Sequence, residues 1–200
     1  MLRVGLTGGL ATGKSFVGEA LVSLGCHLIR ADDLGHQVLQ PGGAAYDDAV
    51  REFGGDILEE SGDIDRRKLA AKVFGDPMRL DVLNRFVHPA VISLEEAWFA
   101  RISAADPCGI AVVEAAIMIE TGSYKRFDKL ILTLCEPEQQ IERAMRRGLT
   151  RAEALDRLAR QMPLEEKRKY ADYVINTSGT KDDTLKQTRA VYGSLRSLTV

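Results

Sequence analysis

Eight consecutive residues carry the densest chemistry in this sequence: Gly8-Gly9-Leu10-Ala11-Thr12-Gly13-Lys14-Ser15. They satisfy the phosphate-loop pattern G-x-x-x-x-G-K-[ST] in full. Such a loop wraps its backbone N–H groups around an anion, and the N-terminus of the following helix adds a positive dipole end. Lys14 would reach the β- and γ-phosphates of a nucleotide, and the Ser15 hydroxyl would hold Mg²⁺. The nucleotide contacts therefore fall on Gly8, Gly9, Ala11, Thr12, Gly13, Lys14, Ser15 and the adjoining Phe16.

A second candidate is the acidic pair Asp32-Asp33, which follows the apolar run Cys26–Arg30. A carboxylate at the end of a second strand can accept a proton from an acceptor hydroxyl and help position Mg²⁺. Either aspartate could instead cap the following helix. The third feature is basic. Arg143, Arg146, Arg147, Arg151, Arg157, Arg160, Lys167, Arg168 and Lys169 crowd into one stretch. It is either a solvated helical face or a lid whose arginines close over phosphates. Translational-type GTPases add an N-K-x-D motif, which this sequence lacks.

The elements that must hold these residues follow from the apolar pattern. Short runs at Leu2–Thr7, Cys26–Arg30, Gly109–Val113, Lys129–Cys135 and Tyr173–Asn176 each precede a helical pattern. That alternation predicts an α/β fold with about five parallel strands. Val17, Ala20, Leu21 and Leu24 mark one helix face, closed by Gly25. The last helix is expected over Asp182–Leu198. Nearly eighty residues separate the second and third strands, far more than a crossover requires. Pro41-Gly42-Gly43, Gly54-Gly55, Gly75-Asp76-Pro77 and His88-Pro89 punctuate that stretch into helices. A helical insertion at about 34–105 therefore stands where ligands of open α/β sheets bind.

Composition sets the outer limits. The chain has 200 residues, 45% of them apolar and 28% charged, with 27 basic against 29 acidic side chains. This is an ordinary single-domain balance with no basic footprint for nucleic acid. No apolar run approaches the length of a membrane span, and no signal-peptide pattern opens the chain. Cys26, Cys108 and Cys135 lie in or beside apolar runs with no metal-ligand spacing. They are expected to be buried free thiols in a reducing, cytoplasmic setting. Oligomeric state has no mark in the sequence.

Val4-Gly5-Leu6-Thr7-Gly8-Gly9, followed by Gly13-Lys14-Ser15, resembles the opening of dephospho-CoA kinases. That family continues with D-A-D after strand two; here the element is Arg30-Ala31-Asp32, so the role of catalytic base falls on Asp32. Asp65-Arg66, Leu69 and Val73-Phe74 resemble the family's insertion signature, and Leu83-Asn84 with His88-Pro89 its L-N-x-x-x-H-P. Ala116-Ile117-Met118-Ile119-Glu120 is similar to P-L-L-F-E, with Ala116 for the proline. Pro137, Gln140, Arg143, Arg147, Gln161, Lys167 and Ala171-Asp172 fit the final third, and Thr177 replaces an asparagine after strand five.

The resemblance covers almost all of residues 1–200 and implies ATP-dependent phosphorylation of the 3′-hydroxyl of dephospho-CoA, the last step of coenzyme A biosynthesis. ATP and dephospho-CoA are the implied substrates and Mg²⁺ the cofactor. Asp32, Lys14 and Arg147 are the implied catalytic residues, with Ser15 and Asp32 at the metal. Arg66, His88 and Glu120 would shape the acceptor side. The lid is expected over about 143–170. Another nucleoside or nucleotide kinase, or a non-catalytic nucleotide switch, stays open as an alternative.

Overall fold

A computed structural model describes residues 1–73 and 75–199. Phe74, part of the Val73-Phe74 element, lies outside the described residues. The chain forms two compact units.

The first unit comprises Met1–Arg30 and Phe99–Val200. Its centre is a five-stranded parallel sheet in the order β2-β3-β1-β4-β5. The strands are β1 (Leu2–Gly8), β2 (His27–Arg30), β3 (Ile110–Glu114), β4 (Lys129–Leu134) and β5 (Tyr173–Asn176). Each lies within a residue or two of its sequence-expected span. β1 is central, and its partners are fixed in register by Leu6 opposite Glu114 on one side and Ile131 on the other. β3 is buried along its whole length, as a strand flanked in plane and covered on both faces must be.

Helix α1 (Lys14–Ser23) packs on the sheet through Val17 and Leu21, and the last helix, α9 (Lys181–Arg196), through Val191 and Leu195. These four side chains join Val4, Leu6, Ile110, Val112, Ile131 and Ile175 in one core. Each fully buried aliphatic side chain there contributes about 1.5–3 kcal/mol. Thr180 opens α9 with a capping box to Asp183, which satisfies two otherwise orphaned N–H groups. Helices α6 (Pro137–Met145), α7 (Arg151–Ala159) and α8 (Leu164–Arg168) complete this unit.

The second unit is Ala31–Trp98, against an insertion expected at about 34–105. It contains α2 (Ala31–Val38), α3 (Tyr46–Phe53), α4 (Arg66–Val73) and the first part of α5 (Pro77–Ala105). Ala49, Phe53, Ile57, Leu69 and Val73 form its own core, flanked by Leu80, Val82 and Leu83.

Two sequence-based expectations need correction, and one alternative falls away. His88-Pro89 does not end a helix, because α5 runs for 29 residues with Pro89 inside it. Proline removes one backbone donor, but the apolar pattern on both sides carries the helix through. Asp32 and Asp33 do not cap α2; they lie in its first turn, because α2 starts directly after β2. There they complement the helix dipole. Cys108 is exposed, whereas Cys26 and Cys135 are buried as expected. Burial pushes the Cys26 thiol up to about 12 and raises Cys135 as well, so neither supplies a thiolate at neutral pH. No helix among the described residues is long and apolar enough to cross a membrane.

Candidate active site

The phosphate loop leaves the carboxyl end of β1 at Gly8 and enters α1 at Lys14. Gly8 admits no side chain: a Cβ there would stand 2.3 Å from Thr133 Oγ1 and 2.5 Å from Thr12 Oγ1. Gly13 turns the chain into the helix at a φ of 85°, where only glycine is unstrained. Ala11 also has a positive φ, of 54°, and is buried against Ile141, Ala144 and Ala154.

Hydroxyls brace the loop from below. Thr12 Oγ1 donates to Gly9 O at 3.0 Å and shares a hydrogen bond with Thr133 Oγ1 at 2.8 Å. Thr177 Oγ1 donates to Thr12 O at 2.9 Å, and Arg143 donates to both Thr177 Oγ1 and Thr177 O. Thr177, which stands where the resemblance has asparagine, therefore ties β5 to the loop. Lys14 is half-buried, and its Nζ donates to Gly9 O at 2.9 Å, folded over the loop's own backbone. Phe16 lies in the first turn of α1, with Lys181 Nζ 5.8 Å from its ring centroid.

Ser15 is exposed and its Oγ donates to Glu114 Oε1 at 2.9 Å. Glu114 ends β3 and is nearly buried; Arg30 Nε donates to its other oxygen at 3.3 Å. Arg30 also pairs with Glu19 of α1 at 3.4 Å. The arginine that replaces the first aspartate of D-A-D thus neutralises a carboxylate that burial would otherwise penalise. Sequence reasoning missed Glu114. Its signal is a single acid ending the apolar run Ile110-Ala111-Val112-Val113, the place from which P-loop NTPases direct a carboxylate at Mg²⁺. The hydroxyl and carboxylate are hard oxygen donors of the kind Mg²⁺ takes, one or two per protein, beside phosphates and water. The donor set fits the ion. Among the described residues no group of three or more His, Cys, Asp or Glu could cage a metal alone.

On the basic stretch, Arg147 is exposed in the turn between α6 and α7, and its guanidinium pairs with no described residue. By contrast Arg151 pairs with Glu138 at 2.6 Å, and Arg160 with Asp156 at 2.9 Å. Thr150 caps α7 with a capping box; its backbone N–H, then its hydroxyl, hold the Glu153 carboxyl below its usual range. Glu120, expected on the acceptor side, is held by an ion pair and a backbone N–H. Its Oε1 accepts from Lys167 Nζ at 2.8 Å and from Met162 N at 3.1 Å, because the wholly buried Lys167 ammonium requires a counter-charge.

Within the second unit, Arg66 is exposed on the rim of a cavity of about 480 Å³. Its walls include His36, Leu39, Asp63, Leu69, Leu80 and Leu83. His88 is half-buried in α5, and Asp32 and Asp33 are exposed on α2.

A complete phosphate loop on the central strand of a 2-3-1-4-5 parallel sheet, with Glu114 at Ser15 and arginine-bearing helices after β4, defines a P-loop kinase. Comparison with known proteins narrows the class. The family model described as CoaE, dephospho-CoA kinase, matches residues 2–183. The dephospho-CoA kinase of Aquifex aeolicus is 40% identical over 195 residues, covering 98% of each chain. Two solved structures superpose closely. A Thermus thermophilus protein has a TM-score of 0.83 at 31% identity, covering 96% of this chain and 97% of its own. The dephospho-CoA kinase of Campylobacter jejuni has a TM-score of 0.74 at 26% identity, covering 99% and 98%. The chain belongs to the dephospho-CoA kinase family. It is a kinase of coenzyme A biosynthesis, and the alternatives left open by the loop alone fall away.

Proposed function

We propose that the Gly8–Ser15 loop holds the phosphates of ATP while the γ-phosphoryl group passes to the 3′-hydroxyl of dephospho-CoA, giving ADP and coenzyme A. The observation that carries this reading is the pairing of Ser15 with Glu114 at the mouth of a complete phosphate loop. Lys14 swings from the Gly9 carbonyl to the β- and γ-phosphates, a move that exchanges one oxygen acceptor for a stronger, charged one. Ser15, Glu114 and Asp32 are the residues we assign to Mg²⁺. When bound, the ion would supply positive charge that neutralises the triphosphate during transfer. Asp32 accepts the proton of the acceptor hydroxyl. Arg66 and His88 belong to the acceptor side, and the cavity edged by Arg66 offers apolar walls with a cationic rim, suited to an anionic substrate carrying an apolar arm. Partners are small molecules only, and the site of action is the cytoplasm, in keeping with three free thiols.

Purified protein incubated with Mg·ATP and dephospho-CoA should form ADP and coenzyme A in equal amounts by mass spectrometry. ATP hydrolysis without phosphorylated acceptor would overturn the reading.

Arg147 is assigned to the charge that develops on the transferred phosphoryl group. Its exposed, unpaired guanidinium is available for that contact. Arg147→Ala should lower kcat by about 10- to 100-fold, the worth of one hydrogen bond to a charged group. ATP affinity should change far less. An unchanged kcat with weaker ATP binding would make Arg147 a ground-state contact instead.

A further inference from the structure

The expected lid spans about 143–170, yet its C-terminal part is bound to the phosphate loop. Leu10 N donates to Gln161 Oε1 at 2.9 Å, and Gln140 Nε2 donates to Leu10 O at 2.7 Å. Gly9 O, the other end of the first of these peptide groups, accepts from Lys14 Nζ and Thr12 Oγ1. Two consecutive peptide planes are therefore held by side chains. In a trans peptide the N–H and C=O point in opposite directions. Gripping Leu10 O through Gln140 thus aims the Ala11 N–H away from Gln140. A flipped plane at this point would turn a carbonyl dipole toward the bound anion, where the loop must present donors.

Gln161 is followed by a residue held at an ion pair whose lysine is wholly buried. Glu120 Oε1 accepts from Met162 N, the next residue along, and from Lys167 Nζ. Lys167 has no exposed surface; its Nζ also donates to Ala116 O at 2.7 Å and reaches Gly8 O at 3.5 Å. The segment from Gln161 to Lys167 is thus pinned at both ends, once to Leu10 and once beneath Gly8. The apolar residues agree with this: Leu10 and Ala11 pack with Ala154 and Leu158 of α7. A charged side chain buried this completely under a loop, in a segment otherwise exposed, has a task beyond solvation of a helix face.

We infer that Gln161 and Lys167 are positioning residues for phosphoryl transfer: they set the peptide planes of the phosphate loop through Leu10 and Gly8, with Glu120 as the shared anchor. Neither touches the reacting atoms. Their effect passes through the loop amides, so seating of the 161–167 segment and affinity for the triphosphate rise and fall together. The inference rests on the reading of Gly8–Ser15 as the ATP site.

The test uses the full chain with two replacements of similar size, Gln161→Met and Lys167→Met. Mg·ATP affinity is measured by calorimetry, kcat and both KM values by steady-state kinetics, and folding by thermal denaturation. Gln161 is half-buried in the bend just past α7, so its replacement is expected to fold. Gln161→Met should weaken Mg·ATP binding by about five- to tenfold, the worth of one hydrogen bond. The KM for dephospho-CoA should stay within about twofold, and Tm within about 3 °C of wild type. In protein labelled with ¹⁵N-leucine, the Leu10 amide should lose its exchange protection. Lys167→Met should weaken Mg·ATP binding at least as much. If it fails to fold, Gln161→Met decides alone. ATP affinity and kcat per folded molecule within twofold of wild type would overturn the inference, whatever happens to Tm. The calorimetric arm needs no acceptor, so it stands even if turnover of dephospho-CoA were absent.

Discussion

Replacing Lys14 by alanine is expected to reduce kcat by at least about 10²-fold, from the ~3–4 kcal/mol that a lost transition-state donor costs. The fold should survive. Lys14 is the first residue of α1, where alanine is an excellent substitute. Its ammonium donates to Gly9 O, but other groups also hold that part of the loop: Thr12 Oγ1 on the same carbonyl, Gln140 and Gln161 on Leu10, and Thr177 on Thr12. The loop should therefore keep its shape while losing the loop's own charge at the γ-phosphate. Thermal denaturation and circular dichroism check the first half of that statement, and steady-state kinetics at saturating substrates the second. A variant retaining more than about a tenth of wild-type kcat would place the phosphate contact elsewhere, because a tenfold loss is only ~1.4 kcal/mol. Arginine is no substitute: its planar fork is longer and delocalised, whereas the site receives a compact ammonium.

How far the sequence disclosed this site depends on whether the information is local. The phosphate loop is contiguous, so its motif and the strand and helix around it are legible residue by residue. The five strands are legible because parallel strands are buried on both faces and show as short apolar runs. The His88-Pro89 break misled because proline weakens a helix locally while the turns on either side hold it together. Glu114 was overlooked because its importance comes from strand order: β3 neighbours β1 in the sheet although about a hundred residues separate them. Lys167 is the extreme case. In an arginine- and lysine-rich stretch nothing marks one lysine as buried, and its ion-pair partner, Glu120, belongs to a different element. Arg30 illustrates the reverse. The sequence shows only a departure from D-A-D, whereas the structure gives Arg30 two acids to neutralise, Glu114 and Glu19.

That arrangement sharpens the expected difference between Asp32 and Asp33. Arg30 is committed to Glu114, so the carboxylates that follow β2 are those of α2. Both aspartates sit in the first turn of that helix and both are exposed. Each should therefore stabilise the helix end by a similar ~0.3–1 kcal/mol. Asparagine at either position should cost similar, small stability, so a difference in kcat between the two variants reports chemistry. Successive residues on a helix point about 100° apart, so one acceptor hydroxyl can address only one of them. The family resemblance puts the proton acceptor at Asp32, and we expect Asp32→Asn to lower kcat by roughly 10²–10⁴-fold, the range for a positioned general base. The lower end is favoured, because a loose phosphoryl-transfer transition state demands little activation of the nucleophile. Asp33→Asn should cost less than about tenfold, corresponding to ~1.4 kcal/mol. The measurement is kcat at saturating Mg·ATP and dephospho-CoA, with Tm recorded for both variants. Should Asp33→Asn prove the more damaging at equal Tm, the base lies one residue further along α2, and Asp32 loses both its roles, at the proton and at Mg²⁺.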